Sequence, residues 1–215
     1  MVSFLILAAA AGAIAILLVA RLCVVLQPHH VTLRESVGLL IVAGSGGHTT
    51  EILRLVGSLS SAYSPRDYVI ADSDEMSAKK IVSFEDARKR DSATECTLYR
   101  LHRIPRSREV RQAWLSSVFT TLYATWFSFL LVCRIKPDLV LCNGPGTCVP
   151  ICVSALLLGI LGIKKVIIVY VESICRVETL SLSGKILYHL CDCFIVQWPT
   201  LKEKYPKSVY LGRIV

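Results

Sequence analysis

The chain has 215 residues, of which 53% are hydrophobic, and it carries a formal net charge of +8 at pH 7. This length provides one domain with a short additional segment and excludes a chain of several domains. The mean hydropathy of +0.56 exceeds what a soluble domain needs, so part of the apolar surface is expected to face lipid or a partner.

The first predicted element is an apolar helix that begins at the N-terminus. The run from Val2 to Ala20 contains no charged residue and no proline. About 20 helical residues cross a hydrocarbon core of roughly 30 Å. No basic residue precedes the run, which argues against a cleaved signal peptide. We therefore predict a membrane anchor in residues 1–26, spanning at about 2–21, followed by a linker at 27–35.

The basic residues around this span predict its orientation. Arg21 and Arg34 follow the span, so the positive-inside rule places the short N-terminus in the lumen and residues 36–215 in the cytosol. The nine cysteines include no CxxC pair and no zinc spacing, as expected of a reduced cytosolic domain. We predict neither a cofactor nor a metal site.

Residues 36–215 alternate between strand and helix patterns. Such an alternation predicts an α/β domain, with a Rossmann-like parallel sheet and right-handed crossovers. The predicted strands are 36–43, 67–72, 97–104, 137–143, 164–173, 193–198 and 208–212. The predicted helices are 49–59, part of 73–95, 113–133, 147–162 and 180–192. Ligands of such sheets bind outside the carboxyl ends of the strands.

The first strand ends in a glycine-rich bend. We predict that it binds a phosphate group through Gly44, Ser45, Gly46, Gly47, His48 and Thr49. Glycines allow an anion to approach the backbone, and the free N–H groups at the following helix N-terminus attract it. Thr49 or Thr50 can cap that helix. The alternatives are a plain strand-to-helix turn and an NAD site, although Thr49 occupies the position of the third fingerprint glycine.

An uncharged run at 113–133 predicts a helix that lies on the membrane surface. A second transmembrane span and an ordinary core helix are the alternatives. The residues expected at the membrane surface are Arg103, Arg106, Arg108, Arg111, Trp114 and Trp126. Nucleic acid is not expected as a partner, because the basic residues are not interleaved with stacking aromatics.

A second glycine bend follows the strand at 137–143. It consists of Asn143, Gly144, Pro145, Gly146 and Thr147. Thr147 can cap the next helix, and Asn143 can bond to a sugar hydroxyl. His48 and Glu172 are the candidate catalytic residues at this edge of the sheet. Their ordinary alternatives are a packed histidine and a solvated loop carboxylate.

These segments together resemble the N-terminal, acceptor-side half of a GT-B glycosyltransferase. The likeness is carried by "VAGSGGHTTEILRL", "HRIPRSREV", "PDLVLCNGPGTCVPI", "VIIVYVESICRVETLSLSGKIL", "FIVQWP" and the terminal "VYLGRIV". The chain is most similar to the family of membrane-anchoring subunits of the two-chain UDP-N-acetylglucosamine transferase of asparagine-linked glycosylation. It resembles more distantly the bacterial undecaprenyl-linked murein glycosyltransferase.

The resemblance implies a reaction, in which UDP-GlcNAc and dolichyl-diphosphate-GlcNAc yield dolichyl-diphosphate-chitobiose at the cytosolic face of the endoplasmic reticulum. It implies that this chain anchors a soluble donor-binding subunit and binds the diphosphate of the lipid-linked acceptor at the first glycine bend. It also suggests the preceding GlcNAc-1-phosphotransferase as a partner. The alternatives are a recruitment scaffold without substrate contact and a membrane-anchored NAD-binding oxidoreductase.

Overall fold

The computed structural model of the chain describes residues 2–27, 35–91, 98–109, 112–144 and 146–215. The helices are α1 (Val2–Val25), α2 (Gly47–Gly57), α3 (Glu75–Asp91), α4 (Trp114–Ile135), α5 (Cys148–Ile160), α6 (Leu182–Leu187) and α7 (Pro199–Lys204). The strands are β1 (Leu39–Val42), β2 (Arg66–Ala71), β3 (Tyr99–Ile104), β4 (Leu139–Asn143), β5 (Ile167–Val171), β6 (Cys193–Val196) and β7 (Val209–Tyr210). Two predicted site residues, Arg111 and Pro145, lie outside the described residues.

The described strands form one parallel sheet in the order β3-β2-β1-β4-β5-β6-β7. The predicted α/β class and parallel sheet are therefore confirmed. From the centre of the sheet, β1, β2 and β3 follow one another toward one edge, and β4, β5, β6 and β7 follow one another toward the other edge. Right-handed crossovers then place α2 and α3 on one face and α5 and α6 on the other, and each face has its own apolar core. The switch point lies between β1 and β4.

Helix α4 buries mostly small side chains and exposes large apolar ones, the reverse of a typical helix on a soluble domain. Its buried positions carry mostly small residues, namely Ser117, Ala124, Ser128 and Val132. Its exposed positions carry large apolar residues, namely Trp114, Leu115, Val118, Phe119, Leu122, Tyr123, Trp126, Phe127 and Leu130. Small side chains allow α4 to pack closely against α5, while the apolar face points away from the domain. Among the described residues, α4 is the helix that is long and apolar enough to cross a membrane by length and composition.

Helix α1 is attached to the domain at its C-terminal end. Arg21 donates hydrogen bonds to the carbonyl oxygens of Ile160 at 3.2 Å and Gly159 at 3.3 Å, so it satisfies the last turn of α5. Val25 is buried against Gly159. The helix therefore continues past the predicted end of the span and docks on α5. The predicted anchor and linker boundaries stay predictions.

One element was missed by the sequence analysis. Helix α7 begins at Pro199 with Trp198 as its N-cap residue, and two residues separate it from the end of β6 at Val196. Proline is favoured at the first position of a helix because its missing N–H would be unpaired there in any case.

Candidate functional site

The two glycine bends lie side by side at the switch point of the sheet. Val42 of β1 pairs with Cys142 of β4, so the residues that follow them leave the sheet next to each other. Gly144 has a φ of 68°, and a Cβ at this position would lie 2.5 Å from His48 Cε1. No residue with a side chain fits there without displacing the imidazole. The second bend thus packs against the imidazole of His48, which belongs to the first bend.

Helix α2 begins without a side-chain cap. Gly46 occupies the N-cap position with φ 67° and ψ −119°, a conformation that favours glycine. The expected cap by Thr49 or Thr50 was wrong, because the glycines allow the helix to begin already at Gly47. Thr49 is instead buried, where its hydroxyl bonds to Gly44 O and lies 2.6 Å from Ser77 Oγ. Its side chain fixes the bend, and the first backbone N–H groups of α2 have no side-chain partner.

Thr147 occupies the N-cap position of α5 and likewise makes no side-chain cap bond. Two helices therefore present uncapped N-termini at neighbouring strand ends. The positive end of each helix dipole favours an anion there.

A cavity of about 440 Å³ lies beside both bends. Five predicted residues of the two glycine bends line it, namely Gly44, Ser45, Gly144, Gly146 and Thr147. The cationic side chains that line it are Arg106, Arg108 and Arg176, and the anionic ones are Asp74 and Glu109. Glu109 Oε2 lies 3.6 Å from Arg106 Nη1, and Asp74 offsets one further positive charge, so Arg108 and Arg176 leave the lining with a net excess of one arginine. A cavity with backbone donors and excess arginine suits a diphosphate.

A second cavity of about 390 Å³ adjoins the first. The two share Gly144, Arg176 and Ser181, so they form adjoining parts of one cleft. Both candidate catalytic residues, His48 and Glu172, line the second cavity. The structure thus brings the two bends and the two candidates together.

Asn143 orients the imidazole of His48. Its Oδ1 lies 3.4 Å from His48 Nδ1, and its Nδ2 donates to Val171 O at 3.4 Å. Because an amide oxygen can only accept, the neutral imidazole carries its proton on Nδ1, which leaves Nε2 as a base. Asn143 is fully buried. It is therefore placed to position His48, rather than to reach a sugar hydroxyl as the sequence suggested.

Glu172 is a buried carboxylate and not a solvated one. Ser181 N at 2.9 Å and Ser181 Oγ at 3.0 Å donate to its Oε2, and Ser173 N donates to its Oε1 at 3.1 Å. Burial raises the pKa of the Glu172 carboxyl, and the hydrogen bonds from Ser181 and Ser173 partly offset that rise. With both oxygens occupied, Glu172 holds the loop that carries Arg176. This geometry favours His48 over Glu172 as the base.

Glu51 was missed as a site residue by the sequence analysis. Its Oε1 accepts from Ser173 Oγ at 2.9 Å. Its Oε2 is buried, has no hydrogen-bond partner among the described residues and lies 4.0 Å from His48 Nδ1. The signal in the sequence was the three-residue spacing from His48, which places both side chains on one side of a helix.

The arginines predicted for the membrane surface have different surroundings. Arg103 Nη1 forms an ion pair with Glu75 Oε1 at 2.6 Å. Arg106 and Arg108 line the first cavity, and the membrane-surface placement of these arginines stays a prediction. The guanidinium of Arg108 also stacks 4.3 Å from the ring centroid of Trp114, which connects the cleft to the start of α4.

The fold resembles that of a solved bacterial protein. The crystal structure of MurG from Acinetobacter baumannii matches with a TM-score of 0.54 at 15% sequence identity. The match covers 84% of this chain and 44% of the MurG chain, so this chain spans less than half of that protein. The likeness concerns the fold and confirms the predicted half of a GT-B architecture.

Relatives of known name match the whole chain. It is 82% identical to UDP-N-acetylglucosamine transferase subunit ALG14 of Rattus norvegicus and 75% identical to that of Homo sapiens, each over 100% of both chains. The Yarrowia lipolytica protein of the same name is 41% identical over 96% of this chain and 97% of its own. The family model "Oligosaccharide biosynthesis protein Alg14 like" matches residues 39–214. The chain therefore belongs to the Alg14 family.

Proposed function

We propose that this chain is the membrane-anchored, acceptor-binding subunit of a UDP-N-acetylglucosamine transferase in N-glycan precursor assembly. It binds dolichyl-diphosphate-GlcNAc at the cytosolic face of the endoplasmic reticulum, and a soluble partner subunit supplies UDP-GlcNAc. The names of the relatives support the activity and the existence of a partner. The observation that carries the role of this chain is the cleft in which two uncapped helix N-termini meet Arg108 and Arg176.

In this proposal, the acceptor diphosphate lies in the first cavity and the acceptor sugar reaches the second. His48 Nε2 takes the proton of the acceptor hydroxyl, whose oxygen attacks the anomeric carbon of the donor sugar as UDP leaves. Glu51, close to Nδ1, stabilises the imidazolium that forms. Asn143 fixes the ring in the required tautomer.

The chain completes only one side of such a reaction centre. Its sheet corresponds to one half of a two-domain glycosyltransferase fold. A half-cleft does not surround a transition state, so the donor side is expected from another chain. A transfer assay tests this division with the full chain alone, the soluble partner alone and both together. We expect product only from the combination, and transfer by this chain alone would contradict the proposal.

A recruitment scaffold is the second candidate function, supported by the exposed apolar helix α4, which is long and apolar enough to cross a membrane. Gly46→Ala separates it from the first, since Gly46 has a positive φ that other residues rarely adopt. The acceptor-binding role predicts a complex that still assembles but transfers poorly. A scaffold predicts wild-type transfer from the same complex. The NAD-binding alternative is disfavoured by the buried Thr49 at the third glycine position.

A further inference from the structure

A third cavity, of about 310 Å³, lies between the N-terminal turns of α4 and α5 and helix α6. Its apolar walls are Trp114, Val118, Leu122, Val149, Leu182 and Ile186. The Ser117 and Thr121 hydroxyls also line it, but each already donates to a backbone carbonyl, at 2.8 Å and 2.6 Å. The space therefore suits an apolar ligand.

This apolar cavity continues into the arginine-lined one. Arg108, Gly146, Leu182 and Ser183 line both. A single extended ligand can thus place an anionic group beside the glycine bends and an attached hydrocarbon between α4 and α6. Ser107 lines the apolar cavity next to Arg108, and its buried hydroxyl has no hydrogen-bond partner among the described residues.

The apolar cavity also opens onto the exposed apolar face of α4. Trp114, Val118 and Leu122 line the cavity and belong to that face, and each is more than half exposed. On the α6 side, Leu182 and Ile186 are exposed as well. Such continuous apolar exposure marks a contact with lipid or another apolar partner.

We propose that this cavity, lined by α4, α5 and α6, binds the isoprene units closest to the diphosphate of a polyprenyl-linked acceptor. The inference rests on the proposed function and adds a site for the lipid tail. A cavity at the lower end of the range for small ligands, about 300–1,000 Å³, holds only a short segment of a long chain. The remaining tail leaves along the exposed face of α4 into the membrane.

The test measures the KM of two acceptors, using the reconstituted complex of the full chain and its partner. One is GlcNAc diphosphate with a two-isoprene tail, and the other carries only a methyl group. Leu122→Trp and Ile186→Trp fill the cavity from opposite walls. Each is expected to raise KM for the isoprenyl acceptor by about tenfold or more and to leave KM for the methyl acceptor unchanged.

Leu115→Trp is the matched control, since Leu115 lies on the exposed face of α4 outside the cavity lining. It is expected to behave as the unaltered complex with both acceptors. Equal KM increases for both acceptors, unchanged KM values, or loss of the partner from the purified variant complexes would each overturn the lipid-tail site. Failure of the unaltered complex to transfer to either acceptor would instead contradict the proposed function.

Discussion

His48 is held in place by the two glycine bends and by a neighbouring carboxylate. Gly144 packs against its ring, Asn143 lies 3.4 Å from Nδ1, and Glu51 Oε2 lies 4.0 Å from the same nitrogen. Both polar contacts are to Nδ1, so within the described part of the chain Nε2 is the nitrogen left to act as a base. Proton transfer by a positioned side chain contributes about 10²–10⁴-fold to a reaction rate.

Substitution of His48 or Glu51 is expected to lower kcat with little change in the KM for the acceptor. We predict a loss of about 100-fold for His48→Ala and about tenfold for Glu51→Gln, since the latter keeps the shape but removes the charge. Steady-state kinetics of the reconstituted complex measure both. Glu178→Gln, at an exposed glutamate, is the control. Wild-type kcat in His48→Ala would exclude His48 as the base.

Residue identities at the bends were readable from the sequence, but several of their contacts were not. Glycines before a helix indicate an anion site by local chemistry alone. The roles of Asn143 and Glu172 depend on which side chains the fold brings next to them. Asn143 was expected to contact a sugar and Glu172 was a candidate catalytic residue, but both are buried and hold neighbouring parts of the cleft in place. Arg176 could not be predicted, because its loop is held at the cleft by tertiary contacts, among them the hydrogen bonds to Glu172 and the bond from Trp198 Nε1 to Ile174 O.

Helix α4 is expected to lie in the membrane interface along its apolar face. Trp114 and Trp126 are 65% and 60% exposed on that face, whereas Trp198 lies elsewhere beside Arg213. The full chain in vesicles of brominated phospholipid should therefore show strong quenching of tryptophan fluorescence. Trp114→Phe together with Trp126→Phe should leave a weakly quenched signal from Trp198. Equal quenching of the double variant would contradict interfacial placement of α4.

The edge pair of β2 and β3 is stabilised by a buried carboxylate. Burial alone would raise the pKa of Asp67, but hydrogen bonds from His102 and Arg100 outweigh it and lower the pKa. The distances are 2.7 Å from His102 Nε2 and 2.8 Å from Arg100 Nε. Because the pKa is lowered on folding, this stabilisation is present above the unfolded pKa and is lost as pH falls through the folded one.

Asp67→Asn is expected to lower the free energy of unfolding at pH 7 by about 2 kcal/mol, since it weakens hydrogen bonds to a charged group. Urea titrations in detergent measure this difference. The difference in unfolding free energy between the variant and the unaltered protein should narrow as the pH falls below the unfolded aspartate pKa of about 4 and approaches the lower pKa of folded Asp67. Asp86→Asn, at an exposed aspartate, should have little effect. A difference in the free energy of unfolding that does not change with pH would contradict the charge-based explanation.

At the element scale, the strong apolar runs were sufficient to predict the strands and the main helices. Helix α7 has six residues, and its sequence "PTLKEK" lacks an apolar periodicity long enough to detect. The predicted final strand was likewise longer than β7, because only Val209 and Tyr210 pair with β6. Short elements at a sheet edge depend on tertiary pairing more than on their own pattern.

At the scale of the whole molecule, the cleft lies at the switch point of the sheet. The strand order predicts where a ligand binds, and the two bends supply the groups that can hold a diphosphate. Apolar surface then extends from the cleft along α4. This arrangement suits a ligand whose charged end is recognised by the domain while its tail stays in lipid.

The most direct test of this arrangement is the affinity of the full chain for a GlcNAc diphosphate with a short isoprenyl tail. Gly46→Ala strains a backbone with φ 67°, and Gly144→Ala forces a methyl group into His48. Gly57→Ala is the control, since its Cβ would make only ordinary contacts. In isothermal titration, we predict an affinity loss of about 100-fold for the double variant and none for the control. Wild-type affinity in a folded double variant would contradict diphosphate binding by the glycine bends.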